Sequence, residues 1–127
     1  MKIKVSNSIH RGFTLVELLV VLIILSCLTT VALPSYLASV NSSRQGVANA
    51  NARAIASAVQ GRALNANSYD TTLTDYAVDM GGTLPQNPCT STTTGYTITA
   101  TSTTARITAQ TGSNCGTWTA ITYSLTL

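Results

Sequence analysis

From Phe13 to Leu33 the chain runs for 21 residues with one charged side chain, Glu17. As a helix this run is about 31 Å long, close to the hydrocarbon thickness of a bilayer. Such a segment must cross a membrane, be covered by other chains, or be removed. Lys2, Lys4, His10 and Arg11 precede it without an acid among them. That asymmetry sets the N-terminal end on the cytoplasmic side and sends the remainder outward. The net charge of +3 does not signal a nucleic-acid binder, because the excess lies in Lys2, Lys4 and Arg11. From Phe13 onward, Arg44, Arg53, Arg62 and Arg106 are balanced by Glu17, Asp70, Asp75 and Asp79. At 127 residues there is room for one domain. The charged fraction of 9% is far below the roughly 25% of an average soluble domain.

Three readings of the apolar run compete. A secretory signal is cut after its apolar run at a small-x-small triplet. The nearest such triplet, Thr30-Val31-Ala32, matches poorly and is followed closely by Pro34. A plain membrane anchor explains the length but not Glu17, since a carboxylate at such depth costs roughly 2.5–3.5 kcal/mol on insertion scales. The third reading accounts for the acid and the boundary together. Gly12-Phe13-Thr14-Leu15-Val16-Glu17-Leu18 resembles the prepilin signature of type IV pilins and related pseudopilins, and Pro34 stands where that family places a proline.

The resemblance implies a leader, 1–12, removed by a prepilin peptidase that cuts between Gly12 and Phe13 on the cytoplasmic side. It implies that Phe13 is then converted to N-methylphenylalanine. The residue types suit this chemistry. Gly12 has no side chain to obstruct a protease at its carbonyl, and cutting gives Phe13 a new cationic amine. Glu17 of a neighbouring subunit can pair with that amine. At 4 Å and an effective dielectric near 20 the attraction is about 4 kcal/mol before desolvation. The pairing compensates a buried carboxylate and sets axial register, as single polar groups do in apolar helix bundles.

Beyond Pro34 the Ala-rich stretch to about Asn67 is expected to continue the helix, with Val40, Val47, Ile55, Val59 and Leu64 near one face. Pro34 lacks an amide donor and is expected to kink or loosen it. A helix from Phe13 to Asn67 would be about 80 Å long, more than a small globular core covers. Its N-terminal half must lie in lipid or against other copies. Arg44, Arg53 and Arg62 recur every nine residues and so alternate sides, as expected of a solvated helix surface. Ser68 to Pro88 reads as a long loop. Alternating, β-branched runs predict strands over Gly95–Thr101, Ala105–Gln110 and Thr117–Leu125. The expected fold is α+β: a long N-terminal helix, its apolar half for membrane or filament core, packed on a small antiparallel sheet. The segments are 1–12, 13–34, 35–67 and 68–127. The family's architecture, an extended helix with a compact head, agrees.

Of three cysteines, Cys27 lies in the apolar run and reads as a small apolar residue. Cys89 and Cys115 belong to a head expected outside the cytoplasm, where a disulfide is the natural state; the resemblance also implies a bridged C-terminal segment. Two cysteines without a nearby histidine make a poor metal site. Asp70, Asp75 and Asp79, with Asn87, could offer oxygens to calcium, but their spacing fits no compact calcium loop and solvated loop acids are the better reading. The lone histidine, His10, is in the leader, and no acid–base pair or phosphate-cradling loop appears. No enzyme and no cofactor are expected. After Asn67 one cation, Arg106, faces three aspartates, a balance that repels a phosphate backbone. Tyr69, Tyr76, Tyr96, Trp118 and Tyr123 could stack on single strands but more ordinarily pack a core.

The expected function is that of a structural subunit of a type IV pilus, stored in the inner membrane and polymerised to the surface. The alternative is a pseudopilin of a type II secretion or DNA-uptake pseudopilus. A third class, a monomeric membrane-anchored binding module, lacks a role for Glu17. Expected partners are further copies of the chain, related pilins, the prepilin peptidase and the pilus assembly machinery. The intact mass of the mature protein should equal residues 13–127 plus one methyl group, less two hydrogens for the bridge, apart from any glycan. An N-terminus near Leu33 would restore the secretory-signal reading instead.

Overall fold

The computed structural model describes residues 12–127. The expected leader and its charges, Lys2, Lys4, His10 and Arg11, lie outside the described residues, with Gly12 the exception. The chain divides between Tyr36 and Leu37 into two compact units. Helix α1, Leu15–Ala66, contributes to both.

In the first unit, Gly12–Thr14 are not helical and α1 starts at Leu15. Thr14 sits at the N-cap: its hydroxyl accepts the backbone N–H of Glu17 at 3.3 Å. Thr-x-x-Glu is the capping-box spacing, and it satisfies a donor that the first helical turn would otherwise leave orphaned. From there the helix is apolar around its whole circumference, with Leu15, Leu22 and Val31 at 81%, 59% and 78% exposure. A helix apolar all round belongs in a core or a membrane, and nothing among the described residues covers it. The three hydroxyls in the run turn back onto the helix. Ser26 donates to the Ile23 carbonyl at 2.8 Å, Thr29 to Leu25 at 2.7 Å and Thr30 to Cys27 at 2.8 Å. No hydroxyl donor is left facing an apolar surround. Pro34 lies inside the helix, where it withholds the N–H that the Thr30 carbonyl would accept.

The second unit is the head. Its part of α1 ends at Ala66 because Asn67 turns to φ 55°, a left-handed conformation that asparagine tolerates. Strands β1 (Tyr96–Ala100), β2 (Thr104–Ala109) and β3 (Thr122–Thr126) form one antiparallel sheet in the order β1-β2-β3. Ile98 stands opposite Ile107, and Ile107 opposite Tyr123. Tyr96, Ile98, Ala105, Ile107 and Ala109 point to the same core as α1, so the sheet buries one face and leaves the other to solvent.

The helix stripe that meets this core differs from the expected one. Val47 and Leu64 are exposed, at 48% and 67%, while Ala48, Ala52, Ile55, Ala56, Val59 and Ala63 are buried. These lie at i, i+4, i+7, i+8, i+11 and i+15, one face of a helix. At about 100° per residue Val47 and Leu64 lie well over a quarter turn away from the centre of this stripe, on another face of the helix. Two further expectations change. The segment 68–88 is not all loop, for α2 (Asp75–Asp79) forms within it and buries Tyr76. The last strand starts at Thr122, not Thr117. A 3-10 turn, Ser113–Cys115, holds the preceding chain to α1 through Gln45 Nε2 on the Cys115 carbonyl (2.9 Å) and Arg44 on the Asn114 carbonyl (2.8 Å). Asn49 Oδ1 then accepts the Ile121 N–H at 3.1 Å. Residues 117–121 are tied to the helix, not to β2.

Cys89 and Cys115 form the disulfide, with Cα atoms 5.0 Å apart and both residues buried. Beside it lies Asn87, wholly buried. Its amide nitrogen donates to the Gly95 and Gln110 carbonyls, the latter at 3.0 Å, and its Oδ1 accepts the Cys89 N–H at 2.9 Å. One side chain thus joins the disulfide loop to the end of the β1–β2 ladder. The approach is close enough that a Cβ on Gly95 would strike Thr90 and Asn87, and one on Gly112 the Cys89 carbonyl. The bridge closes a sequence separation of 26, worth about 3.5 kcal/mol on the chain-entropy relation.

Cys89→Ser or Cys115→Ser should therefore lower the head's unfolding free energy by about 2–5 kcal/mol, read from urea unfolding of the full chain in detergent. Asn87→Ala leaves the buried Cys89 N–H without its acceptor and takes a donor from the Gln110 carbonyl, while the Gly95 carbonyl keeps the Gln110 N–H. It should cost about 2–4 kcal/mol in the same assay with the disulfide intact, and a change below 1 kcal/mol would remove Asn87 from its place as the hub.

Candidate functional site

The residues singled out at the N-terminus are contiguous and open. Gly12 and Phe13 precede the helix in non-helical backbone, and Phe13 is 75% exposed. A peptide bond between them is outside the helical hydrogen-bond ladder, the condition a protease needs to reach it. Glu17 follows one turn into α1. Between Glu17 and Arg44 no charged side chain occurs, so the carboxylate is an isolated charge at the start of an apolar surface. An acid in the first helical turn gains about 0.3–1 kcal/mol from the N-terminal end of the helix dipole. The insertion cost of roughly 2.5–3.5 kcal/mol is larger. No cation among the described residues pairs with Glu17; the ion pair they form is Arg62–Asp79, at 3.5 Å. The imbalance leaves Glu17 without a positive partner among the described residues.

In the head the candidate ligands do not converge. Asp70 accepts the Thr72 N–H and hydroxyl, both at 3.0 Å, and these bonds, the backbone one first, hold its carboxyl below the ordinary value. Asp75 opens α2, and Asp79 pairs with Arg62. Asn87 is enclosed in the hub described above. Among the described residues no group of three or more His, Cys, Asp or Glu side chains could hold a metal ion.

The arginines are less free than their spacing suggests. Arg62 reaches α2, donating to the Asp75 carbonyl at 2.8 Å, pairing with Asp79 and lying 5.7 Å over the Tyr76 ring. Arg44 holds the 3-10 turn. Arg53 is exposed, as expected of a solvated face. The aromatics serve the core. Tyr69 donates to Gln60 Oε1 at 2.6 Å and Tyr76 to the Asp70 carbonyl at 2.8 Å. Burial pushes the phenols of Tyr76 and Tyr96 above their ordinary pKa. Tyr96 is 2% exposed, so neither it nor Tyr69 or Tyr76 offers a ring for a base to stack on.

Sequence reading missed three contributors. Thr14 had a legible signal, its capping-box spacing to Glu17. Asn87 and Arg62 had none, because most of their partners are groups brought near by tertiary packing.

A model of the prokaryotic N-terminal methylation motif matches residues 7–33, about a fifth of the chain. No curated protein and no solved structure matches the chain. The motif covers Gly12, Phe13, Glu17 and the apolar run to Leu33, and α1 is the helix among the described residues long and apolar enough to cross a membrane. The chain carries the type IV prepilin signature, the mark of a pilin-like or pseudopilin protein.

Proposed function

We propose that this chain is a structural subunit of a type IV pilus, polymerising through its apolar N-terminal helix. The observation that carries the reading is the helical surface from Leu15 to Leu33, apolar all round and uncovered, with one acid a single turn from its start. In this proposal the leader, 1–12, is cut from Phe13 by prepilin peptidase and the new N-terminus is methylated. Residues 13–34 are the membrane span of the precursor and the filament core of the polymer. Residues 35–67 carry the helix into the head, completed by 68–127. The precursor sits in the inner membrane with its N-terminus cytoplasmic and its head outside, then leaves for the surface filament through the pilus assembly machinery. Glu17 receives the Phe13 amine of a neighbouring copy. Pro34, by freeing a carbonyl, gives the helix a place to bend or loosen during packing. Motility, adhesion and DNA uptake are roles of the filament; the subunit does no chemistry.

The Cys89–Cys115 bridge favours a pilin over a pseudopilin, since the resemblance implies such a bridge for pilins and its usual absence from major pseudopilins. Long surface filaments made of this chain would separate the two.

Glu17→Ala should ease insertion of the unassembled subunit by up to about 3 kcal/mol while stranding the neighbour's amine without a partner. The mutant should accumulate in the membrane fraction while the sheared surface fraction falls at least tenfold. Glu17→Gln should behave alike, because it preserves size but not charge. Cleavage after Gly12 should persist in both, and methylation of Phe13 should fall. Normal filament yield from Glu17→Ala would contradict the charge pairing.

A further inference from the structure

The solvent face of the sheet is built of hydroxyls around one cation. The register places Thr97 opposite Thr108 and Thr108 opposite Thr122, one row across three strands. The next row is Thr99, Arg106 and Ser124, and beyond it Thr104 stands opposite Thr126. All these positions alternate with the buried ones, so they share one face. Thr108 and Thr122 lie 3.0 Å apart, oxygen to oxygen, and Gln110 Nε2 donates to Thr97 at 3.3 Å. These bonds set the hydroxyls in a fixed lattice, with cross-strand neighbours about 5 Å apart. Arg106 is exposed at its centre. From Gly95 to Leu127 it is the only charged side chain, and no acid among the described residues pairs with it.

We propose that this face binds an acidic polysaccharide, one carrying carboxylate or sulfate groups. A guanidinium presents a planar fork of donors that fits either group, and the flanking hydroxyls both donate to and accept from sugar hydroxyls. Two other occupants fit less well. A nucleic acid would find the rings of Tyr96 and Tyr123 on the core side, unavailable for stacking. A second copy docked face to face would bring Arg106 toward Arg106 with no acid between them. One cation per subunit makes a weak site, strengthened by repetition when copies are arrayed; that strengthening rests on the filament reading, whereas the site itself does not.

The test uses the mature full chain dispersed in detergent micelles, so that it does not depend on assembly. Immobilised heparin and alginate present sulfate and carboxylate; dextran is the neutral control, and single-stranded and duplex DNA the nucleic-acid arms. Retention on heparin or alginate but not dextran is expected, with loss above 0.5 M salt. Arg106→Gln should reduce it at least tenfold, Arg106→Lys less, and the double variant Thr99→Val with Ser124→Ala severalfold with the charge intact. Unchanged thermal unfolding would show that the variants still fold. No retention of the wild type, equal retention of Arg106→Gln, or equal Arg106-dependent binding to DNA would each overturn the proposal. So would concentration-dependent self-association that Arg106→Gln abolishes, which would make the face a contact between copies.

Discussion

A carboxylate placed near the start of a helix that is apolar on every side governs the rest of this molecule. The apolar surface needs a cover that the described residues do not supply, and in the proposed function lipid or other copies supply it. Lipid covers the leucines and valines equally well, but it offers Glu17 nothing. The dipole of α1 recovers at most about 1 kcal/mol of a cost two to three times larger. In the proposed function an external cation resolves the difference: the amine that cutting before Phe13 would expose, carried by every copy. On that reading the same residues tie proteolytic processing to assembly, since the partner group would not exist until the leader had gone.

Thr14 adds a local constraint at that boundary. By accepting the Glu17 N–H it starts α1 at Leu15 and leaves the Gly12–Phe13 bond in open backbone. Hydroxyl groups deeper in the run follow the same logic, each returning to a carbonyl of its own helix. These hydroxyls are thus satisfied within the segment; the carbonyl that Pro34 frees and the charge of Glu17 are not.

The head solves a different problem. Its core is thin, with alanine supplying four of the six buried positions on α1. Burial of alanine contributes little apolar area, so the disulfide and the Asn87 hub carry more of the organisation than side-chain bulk does. Arg62 and Arg44 fasten the two irregular segments to α1 by donating to backbone carbonyls. The opposite face of the sheet is left polar and regular, an arrangement that the core does not require.

The N-terminal motif, the apolar span, the α+β class, the strands and their alternating faces were legible in the sequence, because each rests on local periodicity or on a short spacing with one physical meaning. The cysteine pair was legible through compartment and resemblance. The buried stripe of α1 was not: hydrophobicity ranks Val47 and Leu64 above Ala48 and Ala52, and only the packing of the head decides which face of the helix is covered. Asn87 looked like an open ligand in a loop, and α2 was too short for a periodic signal. The delayed start of β3 was equally hidden. Each depends on which backbone carbonyls the fold brings within reach, a property of three-dimensional packing that no residue's own chemistry encodes.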